Sequence, residues 1–397
     1  MPSVVFYFKV HQPRRLRHYT VFDIGENKNY FDDERNVFYL ERIVKKCYLP
    51  TLNILLDLIK KTKGRFKFSL GITGILIEDL KKNFPEVIRL LQKLAQTGSV
   101  EFTGENYYHS LSSLYSLKEF KEQVIKHKKL IKNLFNQEPL VFSNTELIYF
   151  DDLAPIVKSL GFQAMLAEGV PWILSWRSPA FLYEDPGKNL ILLLRHFKLS
   201  DDISFRFSAR WWEEWPLTAD KFSSWLNAFN GNGEVINLFM DFETFGEHQW
   251  PETGIFEFLK SLPFEVLKYK DLEFSLPSEV IKKYPVRDIF SSKSPVTWAD
   301  TERDLTAWLG NEMQKECIEL LYSLENKVPF HLKEVWRNLQ TADHFYYMCT
   351  KWFADGDVHK YFSPYETPYD AYLNFRNVLE DLKLRINESN VKIHFRS

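Results

Sequence analysis

Between residues 4 and 276 the chain repeats one pattern: a short β-branched or aromatic run closed by a polar residue, then a longer stretch with apolar residues at helical spacing. Eight such runs can be read, at residues 4–10, 66–72, 98–104, 139–145, 162–167, 190–197, 235–240 and, weakly, 272–276. Helical periodicity fills residues 37–61, 78–95, 116–135 and 151–160 between them. Strands alternating with helices require a mainly parallel sheet with right-handed crossovers. So many units with polar residues at their exits favour a barrel over an open sheet. From about residue 300 the strand signal ends. Residues 304–324, 331–353 and 369–386 carry helical periodicity, with Pro329 and a linker at residues 362–368 between them. The reading is α/β: a β/α barrel over residues 1–295, then a C-terminal helical bundle over residues 296–397.

Composition narrows the function. With 51 Lys and Arg against 53 Asp and Glu, there is no global field to recruit nucleic acid or an anionic membrane, so a neutral ligand is expected. Aromatic residues make up 16% of the chain, and the surplus of Trp and Tyr suits sugar rings, whose C–H faces stack on flat apolar surfaces. Cys47, Cys317 and Cys349 are too scattered for a disulfide framework or a zinc site. No apolar run is long enough to span a membrane, and the N-terminus does not read as a secretion signal, so a cytoplasmic protein is expected.

The polar residues at the strand exits carry the chemistry. Glu146 follows the run at 139–145, and Asp241 and Glu243 follow the run at 235–240. Two apart, Asp241 and Glu243 share a face for as long as the strand pleat persists. Carboxylates from different strands meeting at one mouth are what glycoside hydrolysis needs: one ionised to attack the anomeric carbon, one protonated to release the leaving oxygen. Structural ion pairs with flanking Lys or Arg are the competing reading for Asp241 and Glu243. Glu105, His11, His109 and His248 also fall at strand exits, and Trp212, Trp250 and Trp298 could stack on sugar. No two of the histidines are at ligand spacing on one element, so no metal is expected. No GxSxG, P-loop or GxGxxG motif is present in a strand-to-helix setting, which leaves phosphate and dinucleotide chemistry unsupported.

Taken together, five stretches in order resemble glycoside hydrolase family 57, the α-amylase and α-glucanotransferase family. They are His11-Gln12-Pro13, residues 98–110 (GSVEFTGENYYHS), Glu146 within FSNTEL, Asp241 within MDFETFG, and Asp343-His344 within LQTADHFYY. The resemblance implies an incomplete seven-stranded (β/α) barrel followed by a C-terminal helical bundle, so one of the eight runs, 190–197 or 272–276, should lie outside the barrel. It implies Glu146 as nucleophile, Asp241 as general acid/base, and His11, His109, Glu243, His248 and Asp343 around the sugar. Asp300 and Asp304 compete with Asp343 for its place. Many transferases and branching enzymes of the family have a glutamate-proline pair where this chain has His109-Ser110, and FSNTEL and GEHQW look more like the α-amylase branch.

The resemblance therefore implies a retaining α-amylase-type hydrolase of α-1,4-glucans or maltooligosaccharides, without a cofactor. A 4-α-glucanotransferase using the same covalent intermediate is the nearest alternative. A metal-dependent barrel deacetylase or mannosidase, and a non-catalytic glucan-binding relative, are alternatives from other classes.

Overall fold

The computed structural model describes residues 2–351 and 358–394, which form two compact units. The first comprises Met1–His11, Tyr39–Asn106 and Val124–Trp298, and the second comprises Gln12–Phe38, Tyr107–Gln123 and Ala299–Ser397. Where the sequence suggests a single cut at residues 295/296, two excursions from the N-terminal part, Gln12–Phe38 and Tyr107–Gln123, cluster with the C-terminal residues. No described helix is long and apolar enough to cross a membrane.

The first unit holds eleven strands: β1 (Ser3–Val10), β2 (Phe68–Ile72), β3 (Val100–Phe102), β4 (Gly104–Glu105), β5 (Val141–Ser143), β6 (Ala164–Glu168), β7 (Leu182–Glu184), β8 (Ile191–Arg195), β9 (Val235–Asp241), β10 (Glu273–Phe274) and β11 (Val286–Ile289). One sheet runs β3–β2–β1–β9 and the other β4–β5–β6–β8. Only Thr103 separates β3 from β4, so chain continuity joins the two sheets there. At the other junction no ladder joins β8 to β9 among the described residues. Instead the Asn237 amide donates to the Leu194 carbonyl at 2.9 Å, and the His196 N–H donates to the Asn237 carbonyl at 2.8 Å. Seven strand positions, all parallel, thus wind in chain order around an incompletely laddered barrel.

The gap has a local cause. β7 pairs antiparallel with β8 at Ile191–Leu193, taking the part of that edge which a full β9 ladder would need. In the same way β10 takes the lower edge of β1 at Ser3 and Val4, while β2 pairs with β1 from Tyr7 onward. Of the two runs in question, 190–197 therefore supplies a barrel strand and 272–276 lies outside the ring. β7 and β11 were not legible as apolar runs.

Parity along the strands sorts the side chains. Phe6, Phe8, Val10, Leu70, Phe102, Leu238 and Met240 pack outward into the cluster shared with helix residues such as Leu55 and Leu259. Val5, Tyr7, Val141, Ala164, Leu166, Leu193, Val235 and Phe239 pack together inside the barrel. Helix boundaries follow their breakers. The stretch read as one helix at 78–95 is two, Gly74–Asn83 and Pro85–Gln96, with Pro85 opening the second because it lacks the N–H an interior position needs. The stretch at 37–61 is continuous, but its middle, Val44–Tyr48, is a π-helical turn.

In the second unit, Glu312–Ser323 and Pro368–His394 are the longest helices beyond residue 300. The periodicity at 331–353 does not make one helix. It breaks into Phe330–Leu332, Lys333–Asn338 and Asp343–Tyr346, while residues 352 and 353 lie outside the described residues. The break frees Thr341 to form an antiparallel bridge with Ser110, and the Ala342 N–H donates to the His109 carbonyl at 2.8 Å.

Candidate active site

The inward parity that buries Val5, Tyr7 and Phe239 places Lys9, Arg195 and Asp241 in the uppermost layer of the barrel, at the carboxyl ends of β1, β8 and β9. Glu105 of β4 and Glu168 of β6 complete this layer through ion pairs. Lys9 pairs with Glu105, and Arg195 pairs with Glu168 at 3.2 Å and with Asp201. Lys9 is 5% exposed, Arg195 is 4% exposed, and Glu105 and Glu168 are fully buried. Buried charge is tolerated only when paired, and each cation here has its own carboxylate.

Asp241 lies beside Lys9 in the β1–β9 register. It forms no ion pair within 4 Å among the described residues. Burial first, then the charges of Glu243 and Glu146, push its carboxyl well above the usual carboxylate range, against the opposing pull of Lys9 and Arg195. A carboxyl raised in this way gives up its proton less readily than an ordinary one, the direction a general acid requires.

Glu146 lies in the turn Thr145–Leu147 that follows β5, with φ 53° and ψ 29°. Left-handed backbone is uncommon for a residue with a Cβ and persists only where its surroundings enforce it. Trp298 supplies that enforcement, its indole N–H donating to Glu146 Oε2 at 2.7 Å while its backbone N–H reaches the Glu146 carbonyl at 3.4 Å. A pair of backbone hydrogen bonds between Tyr149 and Val296, both 2.9 Å, fixes the strand-like segment that carries the indole. The Arg195 guanidinium lies 5.6 Å from the Trp298 ring centroid, so the same cation that flanks Asp241 also supports the indole that holds Glu146.

Glu243 departs from the expected geometry. The strand ends at Asp241, and Phe242–Thr244 is a tight helical turn, so the shared pleat does not extend to Glu243. Glu243 is 4% exposed and accepts a 2.5 Å hydrogen bond from the Tyr48 hydroxyl, presented by the π-helical turn. It acts on Asp241 as a neighbouring negative charge. The other expected residues divide as follows. His11 sits at the exit of β1 with Nδ1 2.9 Å from Thr73 Oγ1. His248 is half-buried, and burial pushes its imidazole down to about 4, leaving it neutral near pH 7. Trp250 is 61% exposed, whereas Trp212 packs edge-on against Trp225 on the outer core.

Glu105, expected to face substrate, instead lies wholly inside the protein, held by Lys9 and by the Tyr7 hydroxyl at 2.7 Å. His109 and Asp343 belong to the second unit, where His109 is buried with φ 53° and Asp343 starts a short helix. Asp300 is engaged with His359 and Lys351, and Asp304 caps Thr306, so both competitors of Asp343 have structural partners.

Sequence reading missed Lys9, Tyr48 and Arg195. Lys9 and Arg195 each left a signal, being the one charge in an otherwise apolar strand and at the parity of the barrel interior, where only a paired charge survives. Tyr48 left none, because an apolar helix face accommodates tyrosine without distinction.

Known proteins resemble this chain over most of its length. The profile of glycosyl hydrolase family 57 matches residues 5–295. A Methanocaldococcus jannaschii protein, provisionally named an alpha-amylase, is 42% identical over 412 residues, covering 99% of this chain and 86% of its own. The chain spans only 30% to 40% of the length of further curated alpha-amylases that it matches. Among solved structures, the family 57 branching enzyme of Pyrococcus horikoshii superposes with a TM-score of 0.68 at 14% identity, over 91% of this chain and 87% of its own. The 4-alpha-glucanotransferase of Thermococcus litoralis superposes with a TM-score of 0.61 at 17% identity, over 91% of this chain and 54% of its own. With the family profile running from within β1 to beyond β11, and a relative this similar over nearly the whole chain, the protein belongs to glycosyl hydrolase family 57.

Proposed function

We propose that this glycoside hydrolase cleaves α-1,4-glucans with retention of configuration, as an α-amylase does, with Glu146 as nucleophile and Asp241 as general acid/base. In the first step a Glu146 oxygen bonds to the anomeric carbon as the glycosidic bond breaks, and Asp241 gives its proton to the departing oxygen. In the second step Asp241 takes a proton from water, whose oxygen displaces Glu146 and restores both carboxyl groups. The observation that carries this reading is the pairing of two carboxyl groups: that of Asp241, at the top of the barrel, is raised by burial and by the charges of Glu243 and Glu146, and that of Glu146 is oriented by an indole N–H. Neutral His248 and exposed Trp250 on the same loop suit an uncharged polyol. The three cysteines form no disulfide and are buried, which fits the cytoplasm.

The test is Glu146→Gln, incubated with maltooligosaccharides and followed by reducing-end release. Cleavage should be abolished with the fold intact, and substantial residual activity would refute the nucleophile. For wild type, new reducing ends signify hydrolysis, whereas chain lengths that merely redistribute signify 4-α-glucanotransfer through the same intermediate. Retention also requires the two carboxyl groups to stand about 5 to 5.5 Å apart, and a separation of roughly 8 Å or more would exclude it.

A further inference from the structure

Asp241 is next to a lysine that does not neutralise it. Lys9 and Asp241 are paired residues of adjacent parallel strands, both pointing into the barrel, and adjacent strands lie only about 4.8 Å apart. An ammonium at that range would ordinarily seize the carboxylate. Here it is turned toward Glu105, and the site that turns it is elaborate. Glu105 also accepts a 2.7 Å hydrogen bond from the Tyr7 hydroxyl, which lies 2.8 Å from Ser143 Oγ. The Glu105 backbone N–H donates to His127 Nδ1 at 3.1 Å, and His127 Nε2 lies 2.8 Å from the Ile72 carbonyl, fixing the neutral ring in one tautomer. On β2, Gly71 leaves the room. A Cβ at that position would fall 1.9 Å from Glu105 Oε1 and 2.2 Å from the Tyr7 hydroxyl.

We propose that Glu105 is a positioning residue that withholds the Lys9 ammonium from Asp241, leaving the Asp241 carboxyl free to carry the proton that general-acid catalysis needs. The inference rests on the acid/base reading of Asp241. The groups around that carboxyl are Lys9 from β1, Arg195 from β8, Glu146 from the turn after β5 and Glu243 from the turn after β9. Arg195 is likewise occupied, by Glu168 and Asp201, so either cation could reach Asp241 only by leaving its own partner. Glu105→Gln keeps the shape and an acceptor oxygen but removes the charge that holds Lys9. The nearest remaining carboxyl in register is then Asp241.

The experiment is the pH dependence of kcat/KM on maltooligosaccharides for wild type, Glu105→Gln, Lys9→Met and the double variant. The alkaline limb reports the acid that must stay protonated. In Glu105→Gln it should move to lower pH by about 1 to 3 units, the usual effect of a newly adjacent opposite charge. Lys9→Met should move it to higher pH, and the double variant should abolish the downward shift because no ammonium remains to be released. Limbs that stay in place, with activity lowered evenly across pH, would overturn the proposal and leave Glu105 a structural residue. Should Glu105→Gln fail to fold, Lys9→Met and the double variant decide by the same limb, and an unmoved limb in Lys9→Met overturns it. Asp241→Asn separates the two levels: if it is inactive while the limbs do not move, only the withholding role fails, and if it keeps wild-type cleavage of unactivated substrate, the acid assignment itself fails.

Discussion

Glu146 is held in a conformation that its own backbone disfavours, and the indole of Trp298 is the group that makes it useful. Left-handed φ and ψ at a residue with a Cβ cost on the order of 1 to 3 kcal/mol. That cost is offset by Leu147, whose side chain joins the barrel interior, and by the hydrogen bond from Trp298 Nε1. A hydrogen bond to an ionised carboxylate contributes about 1.5 to 3 kcal/mol, and this one aims the oxygen as well as stabilising it. Trp298→Phe preserves the ring that packs near Arg195 and removes only the donor. The expected result is a loss of about tenfold to a hundredfold in kcat/KM, carried mostly by kcat, since in the proposed role of Glu146 as nucleophile its aim matters when the bond forms. Steady-state kinetics on maltooligosaccharides, with circular dichroism to verify folding, measure it. A variant with wild-type kcat would mean that the backbone turn alone positions Glu146.

At the scale of elements, the strands that build the ring were legible because each is a short apolar run between breakers, and Glu146 and Asp241 stand at the exits of two of them. β7 and β11 were not legible: they are short, carry charged residues, and are strands because β8 offers an edge to β7 and β7 in turn offers one to β11. The π-helical turn at Val44–Tyr48 was hidden for another reason, since one extra residue in a turn barely disturbs the apolar period yet redirects Tyr48 onto Glu243. The loop that leaves β9 must pass close to that turn, and Gly246 lets it. Its φ is 106°, and a Cβ there would fall 2.2 Å from the Lys46 carbonyl oxygen and 2.9 Å from the Phe256 ring. Gly246→Ala should therefore lower the thermal midpoint by several degrees and reduce activity, because the loop can relax only by shifting the turn that carries Glu243, whose charge acts on Asp241. A variant that matched wild type in both melting and kcat/KM would show that the loop has slack the geometry does not suggest.

For the molecule as a whole, periodicity could show that helices follow the barrel but not which earlier segments join them, because Gln12–Phe38 and Tyr107–Gln123 associate with the C-terminal residues through tertiary contacts alone. Asn374 accepts from the Tyr19 N–H at 2.7 Å, and Arg337 grips Glu119 at 2.7 and 3.0 Å. None of these pairs has a signature along the chain. The same unit contains a charge pair that should make its stability depend on pH. His359 Nε2 lies 3.0 Å from both Asp300 carboxylate oxygens, and Lys351 lies 3.4 Å from one of them. Burial disfavours the imidazolium, but the hydrogen bonds to Asp300 and Cys349 outweigh it and raise His359 from its ordinary 6.5 to about 9. A folded-state value above the unfolded one means that the folded protein binds the proton more tightly. The stabilisation is then fully present below about pH 6.5 and is lost as pH rises through about 9. Thermal midpoints recorded between those limits should fall for wild type, by an amount corresponding to at most a few kcal/mol. His359→Gln, which cannot take up the proton, should start lower and fall less over the same window. Parallel curves for the two proteins would show that the Asp300–His359 pair contributes no proton-linked stability.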